Sequence, residues 1–178
     1  MKFPSINGFS SYHINYFGKA LRNLPTTNCF SSYQLNYIGE ELKNFLLLEF
    51  KNTKDEIKGS YHFRKLGRAA TLSYISNASA NPEAYLYIRF GDNLFEKNGK
   101  KEIFISTLSF KKNERKNVTA FLDLLCDIAQ KFDYNVISFE SNESCDEWPT
   151  RLGLSKMYDC CPTDLITAVQ KYKKHFYV

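Results

Sequence analysis

The chain has 178 residues, of which 43% are apolar, 16% aromatic and 24% charged. Fifteen Phe, twelve Tyr and one Trp carry far more bulky apolar surface than a disordered chain, so one compact domain over residues 1–178 is expected. A net charge of +5, from 24 basic and 19 acidic residues, tilts weakly toward anionic partners and decides nothing alone.

The longest apolar run, residues 45–48, is followed at once by Glu49, far short of the roughly 18 residues that cross a bilayer. No membrane partner is expected. The opening residues carry no apolar core behind a basic start, so Sec export is not expected either. The five cysteines, Cys29, Cys126, Cys145, Cys160 and Cys161, are odd in number, and adjacent Cys160 and Cys161 bridge poorly. Free thiols in a cytoplasmic setting are the reading. Cys145, Cys160, Cys161 and His175 lack the local spacing of a metal site, and no metal is expected.

The clearest internal signal is a repeat. Residues 7–23 recur as residues 28–44 at a constant offset of 21, so that Phe9, Tyr12, Ile14, Tyr16, Phe17, Gly18 and Leu21 match Phe30, Tyr33, Leu35, Tyr37, Ile38, Gly39 and Leu42. In each copy a Ser pair can cap a helix whose apolar residues fall at i, i+3 and i+7. A duplicated helix pair over residues 7–44 is expected, with residues 24–27 between the copies and a protein partner as one use of its surface.

From residue 45 the pattern reads as strands: residues 45–51, 60–65, 70–76, 84–90 and 102–110, a β-meander. An amphipathic helix follows over residues 118–132, then a strand over 135–140 and a short helix over 146–152. Residues 163–172 read equally as a final helix or as strand-like. A strand, a basic loop through Lys111, Lys112, Arg115 and Lys116, and a helix N-terminus together make a generic anion site.

The segment Arg115-Lys116-Asn117-Val118-Thr119-Ala120 resembles the acyl-coenzyme-A motif of the GNAT acyltransferase superfamily, Arg/Gln-x-x-Gly-x-Gly/Ala. Downstream, Asn142-Glu143-Ser144-Cys145 resembles that family's Asn-x-x-Ala, and Arg151-Leu152-Gly153-Leu154 its Lys-Leu-Gly-Phe turn. The resemblance covers about residues 102–159. It implies an α+β (three-layer α/β) core over residues 45–178, with a mixed, mostly antiparallel sheet and helices on both faces. It also implies an acyl-CoA-dependent N-acyltransferase using acetyl-CoA or another acyl-CoA, with a protein or a small amine as acceptor.

On that resemblance the pantetheine arm pairs with the strand edge that includes Leu108 and Phe110. The diphosphate is held by the backbone around Val118 and Ala120, by the charges of Arg115 and Lys116, and by the hydroxyl of Thr119, with Asn142 as a further contact. Glu140 or Glu102 would be the general base and Tyr158 the acid.

Two positions depart from the family pattern. Val118 stands where the family has glycine, and Pro149 stands where it often has a proton-donating Tyr. They support an alternative, a catalytically inactive GNAT-fold interaction module. Tyr- and Phe-rich strands beside Lys clusters would suit a nucleic-acid binder, but core packing accounts for them as well, so nucleic acid is not the expected partner. The Ser- and Asn-rich opening resembles the leaders of bacterial type III effectors, which would place the working compartment in a host cytosol. His13, His62 and His175 have no recognisable nucleophile beside them.

Overall fold

A computed structural model of the protein describes residues 30–50, 59–66, 69–76, 84–92, 101–111, 113–141, 147–154 and 159–176. In chain order these form α1 (Ser32–Phe50), β1 (Ser60–Leu66), β2 (Ala69–Ile75), β3 (Ala84–Asp92), β4 (Lys101–Phe110), α2 (Glu114–Lys131), β5 (Val136–Phe139), α3 (Glu147–Arg151), β6 (Asp159–Cys160) and α4 (Pro162–Phe176). The first repeat copy, residues 7–23, lies outside the described residues; the second forms α1.

Helix α1 begins on a capping box. The Gln34 N–H donates to the Ser31 hydroxyl and the Ser31 N–H to the Gln34 side-chain oxygen, both at 3.1 Å, so two first-turn donors are satisfied reciprocally. Ile38, Leu42 and Leu46, each one turn apart, are fully buried. That stripe corrects the expectation of a strand over residues 45–51. Leu46 continues the four-residue spacing of Ile38 and Leu42, and Phe45 packs on Phe110 and Phe121, so the helix runs on to Phe50. Gly39 lies on the same helix against β1. A Cβ there would stand 2.8 Å from Phe63 Cδ1, and the Tyr61 hydroxyl donates to the Gly39 carbonyl at 2.9 Å. Only a glycine lets this helix come so close to the sheet.

The sheet is ordered β1-β2-β3-β4-β5-β6. Every neighbouring pair is antiparallel except β4 and β5, which are parallel. A parallel pair needs a crossover, and α2 supplies it. One face is apolar: Phe63, Leu72, Ile88, Ile105 and Phe139 follow one another across five strands. The other face is more polar, with Arg64, Thr71, Arg89 and Ser138 in the same kind of row and Phe104 as its apolar member. The α+β class and the mostly antiparallel sheet agree with the sequence expectation. The ring contacts of α1 and α2 fall on the apolar, Phe63 side of the sheet. There Phe45, Phe110 and Phe121 form a triad with centroids 5.2–6.3 Å apart.

Other boundaries moved for local reasons. Helix α2 starts at Glu114, four residues before the expected Val118, because Asn113 takes φ 50° and ψ 39°, a left-handed conformation that Asn tolerates, and turns the chain straight into the helix. Asn117 N–H then donates to Asn113 O at 2.9 Å. Residues 163–172 resolve as helix: α4 starts at Pro162, whose missing N–H costs nothing at a first helical position. The two-residue strand β6 was not expected from the sequence. It pairs Cys160 with Ile137 and Asp159 with Ser138.

Phe121 is fully buried at the centre of the aromatic triad that joins α1, α2 and β4. Phe121→Ala is therefore expected to lower unfolding free energy by about 3–5 kcal/mol, measured as the shift of the urea midpoint at unchanged slope.

Candidate functional site

The site is built on a change of phase in β4. Tyr87 pairs with Thr107 and Ile88 with Ile105, so Ser106 is an extra residue, a β-bulge. Before it, Ile103 and Ile105 face the core; after it, Leu108 and Phe110 do, all buried. Without the bulge, Leu108 and Phe110 would turn to the polar face.

A bulged strand bends, and the bend coincides with the point where β4 and β5 part. Their pairing covers only residues 102–105 of β4, and the Glu140 N–H donates to Ile105 O at 2.8 Å as the last rung. Beyond it β4 continues to Phe110 with β3 on one side, and among the described residues no strand flanks its other side. The result is a fork with residues 107–109 on one arm and residues 139–141 on the other. The Ser106 hydroxyl donates to the Glu140 carboxylate across its base.

Next to the fork the polar face holds a buried ion pair. Arg89 and Glu102 meet at 3.1 Å, with side chains only 7% and 5% exposed. The Ser138 hydroxyl donates to the other Glu102 oxygen, and the Arg89 guanidinium lies 5.6 Å from the centre of the Phe104 ring. Charges so deeply buried persist only when paired and hydrogen-bonded. Tyr87, beside the bulge, has its hydroxyl pKa raised by burial; Arg64 and Arg89 draw it down, and the nearby Glu140 raises it again. Tyr85, paired with Ser109, is likewise raised by burial and then by Tyr87.

The structure brings Glu140 and Glu102 to the same polar face but gives them different surroundings. Glu102 is committed to Arg89 and Ser138, while Glu140 is only partly buried at the mouth of the fork. Leu108 and Phe110 turn their side chains into the core, so their strand offers a ligand backbone rather than side chains. Arg115 and Lys116 sit in the first turn of α2, not in a loop, and both are exposed; Lys116 Nζ lies 3.9 Å from Glu49. Val118 is fully buried inside that helix. The Thr119 hydroxyl donates to the carbonyls of Arg115 and Lys116 at 2.9 and 3.1 Å, and Ala120 follows it on the helix, half-buried. Asn142 and Tyr158 lie outside the described residues. At the helix mouth Arg151 pairs with Glu114 at 3.4 Å and with Glu147, and its guanidinium lies 5.0 Å from the centre of the Trp148 ring.

Sequence reasoning did not reach Ser106, Tyr87, Arg89 or Ser138. The signal for Ser106 was present, since the buried apolar residues of β4 switch from odd to even numbers there. Two of the described thiols are quiet: burial pushes Cys126 and Cys160 up to about 12, which keeps both protonated, and Cys160 donates to Ile137 O at 3.2 Å. Among the described residues no three His, Cys, Asp or Glu side chains cluster to hold a metal ion, and no described helix is long and apolar enough to cross a membrane.

No protein-family model matches the chain, and no curated protein does either.

If Glu102 chiefly holds Arg89 in a buried face, its loss is a stability event. Glu102→Gln is expected to cost about 3–5 kcal/mol, and the double change Arg89→Met with Glu102→Leu to recover most of that, as read by chemical denaturation of the single and double variants.

Proposed function

We propose that the chain binds an acyl-coenzyme A in the fork between β4 and β5 and transfers the acyl group to an amine of a protein or small molecule. The observation that supports this reading above the others is the strand edge at residues 107–109. It follows a bulge, it flanks a helix N-terminus, and it is matched by the sequence resemblance of residues 102–159 to the GNAT superfamily. An extended pantetheine arm carries amide donors and acceptors, and such a group can add to a sheet edge as a further strand would. The first turn of α2 presents N–H groups that the helix does not use itself, with Arg115 beside them to meet a diphosphate.

The thioester supplies an activated acyl carbonyl. In this reading Glu140, at the mouth of the fork, accepts a proton from the incoming ammonium, and the amine so freed attacks that carbonyl. A C–N bond forms, the C–S bond breaks, the acylated nitrogen releases its extra proton to water, and the departing thiolate takes a proton. Tyr87 fills this last role among the described residues, since burial keeps its hydroxyl protonated beside the bulge. Glu102 is a positioning residue that fixes Arg89 and Ser138. The working compartment belongs to the same reading: the cytoplasm, or a host cytosol for a secreted effector.

A second reading, an inactive fold serving as an interaction module, is favoured by two observations. Val118 is fully buried where the family motif has a glycine open to the ligand, and Glu114 places a carboxylate in the helix turn that a diphosphate would approach. Isothermal titration separates the two. Saturable binding of acetyl-coenzyme A, weakened about tenfold, or about 1.4 kcal/mol, by Arg115→Ala, is the expected result. Absence of binding at millimolar ligand leaves the interaction module as the better account.

A further inference from the structure

The duplicated segment is the one strong sequence feature that the proposed function leaves unused, and α1 shows what each repeat position does in its second copy. Phe30 is 4% exposed, Ile38 and Leu42 are fully buried, and Tyr37 lies edge-on to Phe132 at 5.4 Å. Gly39 admits the Phe63 ring to 2.8 Å from where a Cβ would stand. At the same offsets the first copy carries Phe9, Phe17, Leu21, Tyr16 and Gly18. Where α1 faces solvent the copies diverge in charge: exposed Glu40 corresponds to Lys19.

Gly18 is the informative position. A glycine in a helix interior is destabilising unless something must come close to the backbone, and on this fold the thing that comes close is Phe63. Two differences make the first copy the weaker binder of the same surface. His13 replaces Gln34, whose side chain closes the capping box with Ser31. Pro25 stands at the position of the fully buried Leu46, and a proline is disfavoured in a helix interior and cannot supply that leucine's anchor.

We propose that the surface under α1, centred on Phe63 and Tyr61 of β1, accepts either repeat copy, residues 7–23 being a second, weaker occupant that displaces α1. The two copies share one chain, so their competition is intramolecular and a modest difference in fit sets the populations. When the first copy is seated, the apolar stripe Ile38, Leu42 and Leu46 is released. This inference rests on the repeat and the packing of Gly39, and it stands whether or not the chain binds coenzyme A.

The test uses the full chain with Gly18→Leu, Gly39→Leu and both together, read by urea unfolding and by hydrogen–deuterium exchange. Gly18→Leu is expected to leave the fold and the protection of residues 32–50 unchanged. Gly39→Leu is expected to stay folded, with slow exchange moved from residues 32–50 to residues 11–24, and the double variant to lose the folded baseline. A Gly39→Leu protein as unstable as the double variant, or one folded with protection still over residues 32–50, overturns the proposal. So does a Gly39→Leu protein that exchanges segments only as a dimer in size-exclusion chromatography. Pro25→Leu, which restores the missing anchor, provides a check that does not strain the fold: protection of residues 11–24 should rise as that of 32–50 falls, and no change in either contradicts the inference.

Discussion

One extra residue in β4 organises this molecule. With Ser106 bulged out, Ile103, Ile105, Leu108 and Phe110 all reach the same core, and the Phe110 ring can join Phe45 and Phe121 where α1, α2 and the sheet meet. The same bulge bends β4 at the rung where β5 stops following it, so the packing requirement of the core opens the fork on the strand's other edge. Core and candidate site are thus two consequences of one local irregularity.

The two faces of the sheet do different work. The apolar face carries α1 and α2 and most of the burial that drives folding. The polar face keeps a desolvated Arg89–Glu102 pair braced by Ser138, an arrangement whose desolvation cost offsets much of its attraction, so its net contribution to stability is small. What such a pair does supply is a fixed position for charged groups beside the fork, where Tyr87 and Glu140 sense one another.

Much of the fold was legible in the sequence because its strands are rich in aromatic and β-branched residues and its longer helices are amphipathic. Residues 45–50 were misread, since a short apolar run fits a buried strand and a buried helix equally; the four-residue spacing from Leu42 to Leu46 was the feature that could have decided it. The start of α2 was placed late because Lys and Arg were taken for loop residues, although both are good helix formers. At the candidate site the local elements were readable and the pairings were not. Arg89 meets Glu102 across a hairpin, and Ser106 meets Glu140 from a strand 34 residues away, contacts that only the three-dimensional register makes. Sequence spacing could nominate Glu102 and Glu140 but could not tell the bound carboxylate from the one at the mouth.

The central claim is that the edge of β4 beyond the bulge and the first turn of α2 form one ligand site. Backbone amide chemical shifts of nitrogen-15-labelled protein, followed while coenzyme A is added, test it most directly. Saturable shifts concentrated on residues 107–109 and 113–116 are the predicted result. Shifts confined to other parts of the chain, or none at millimolar coenzyme A, would contradict it.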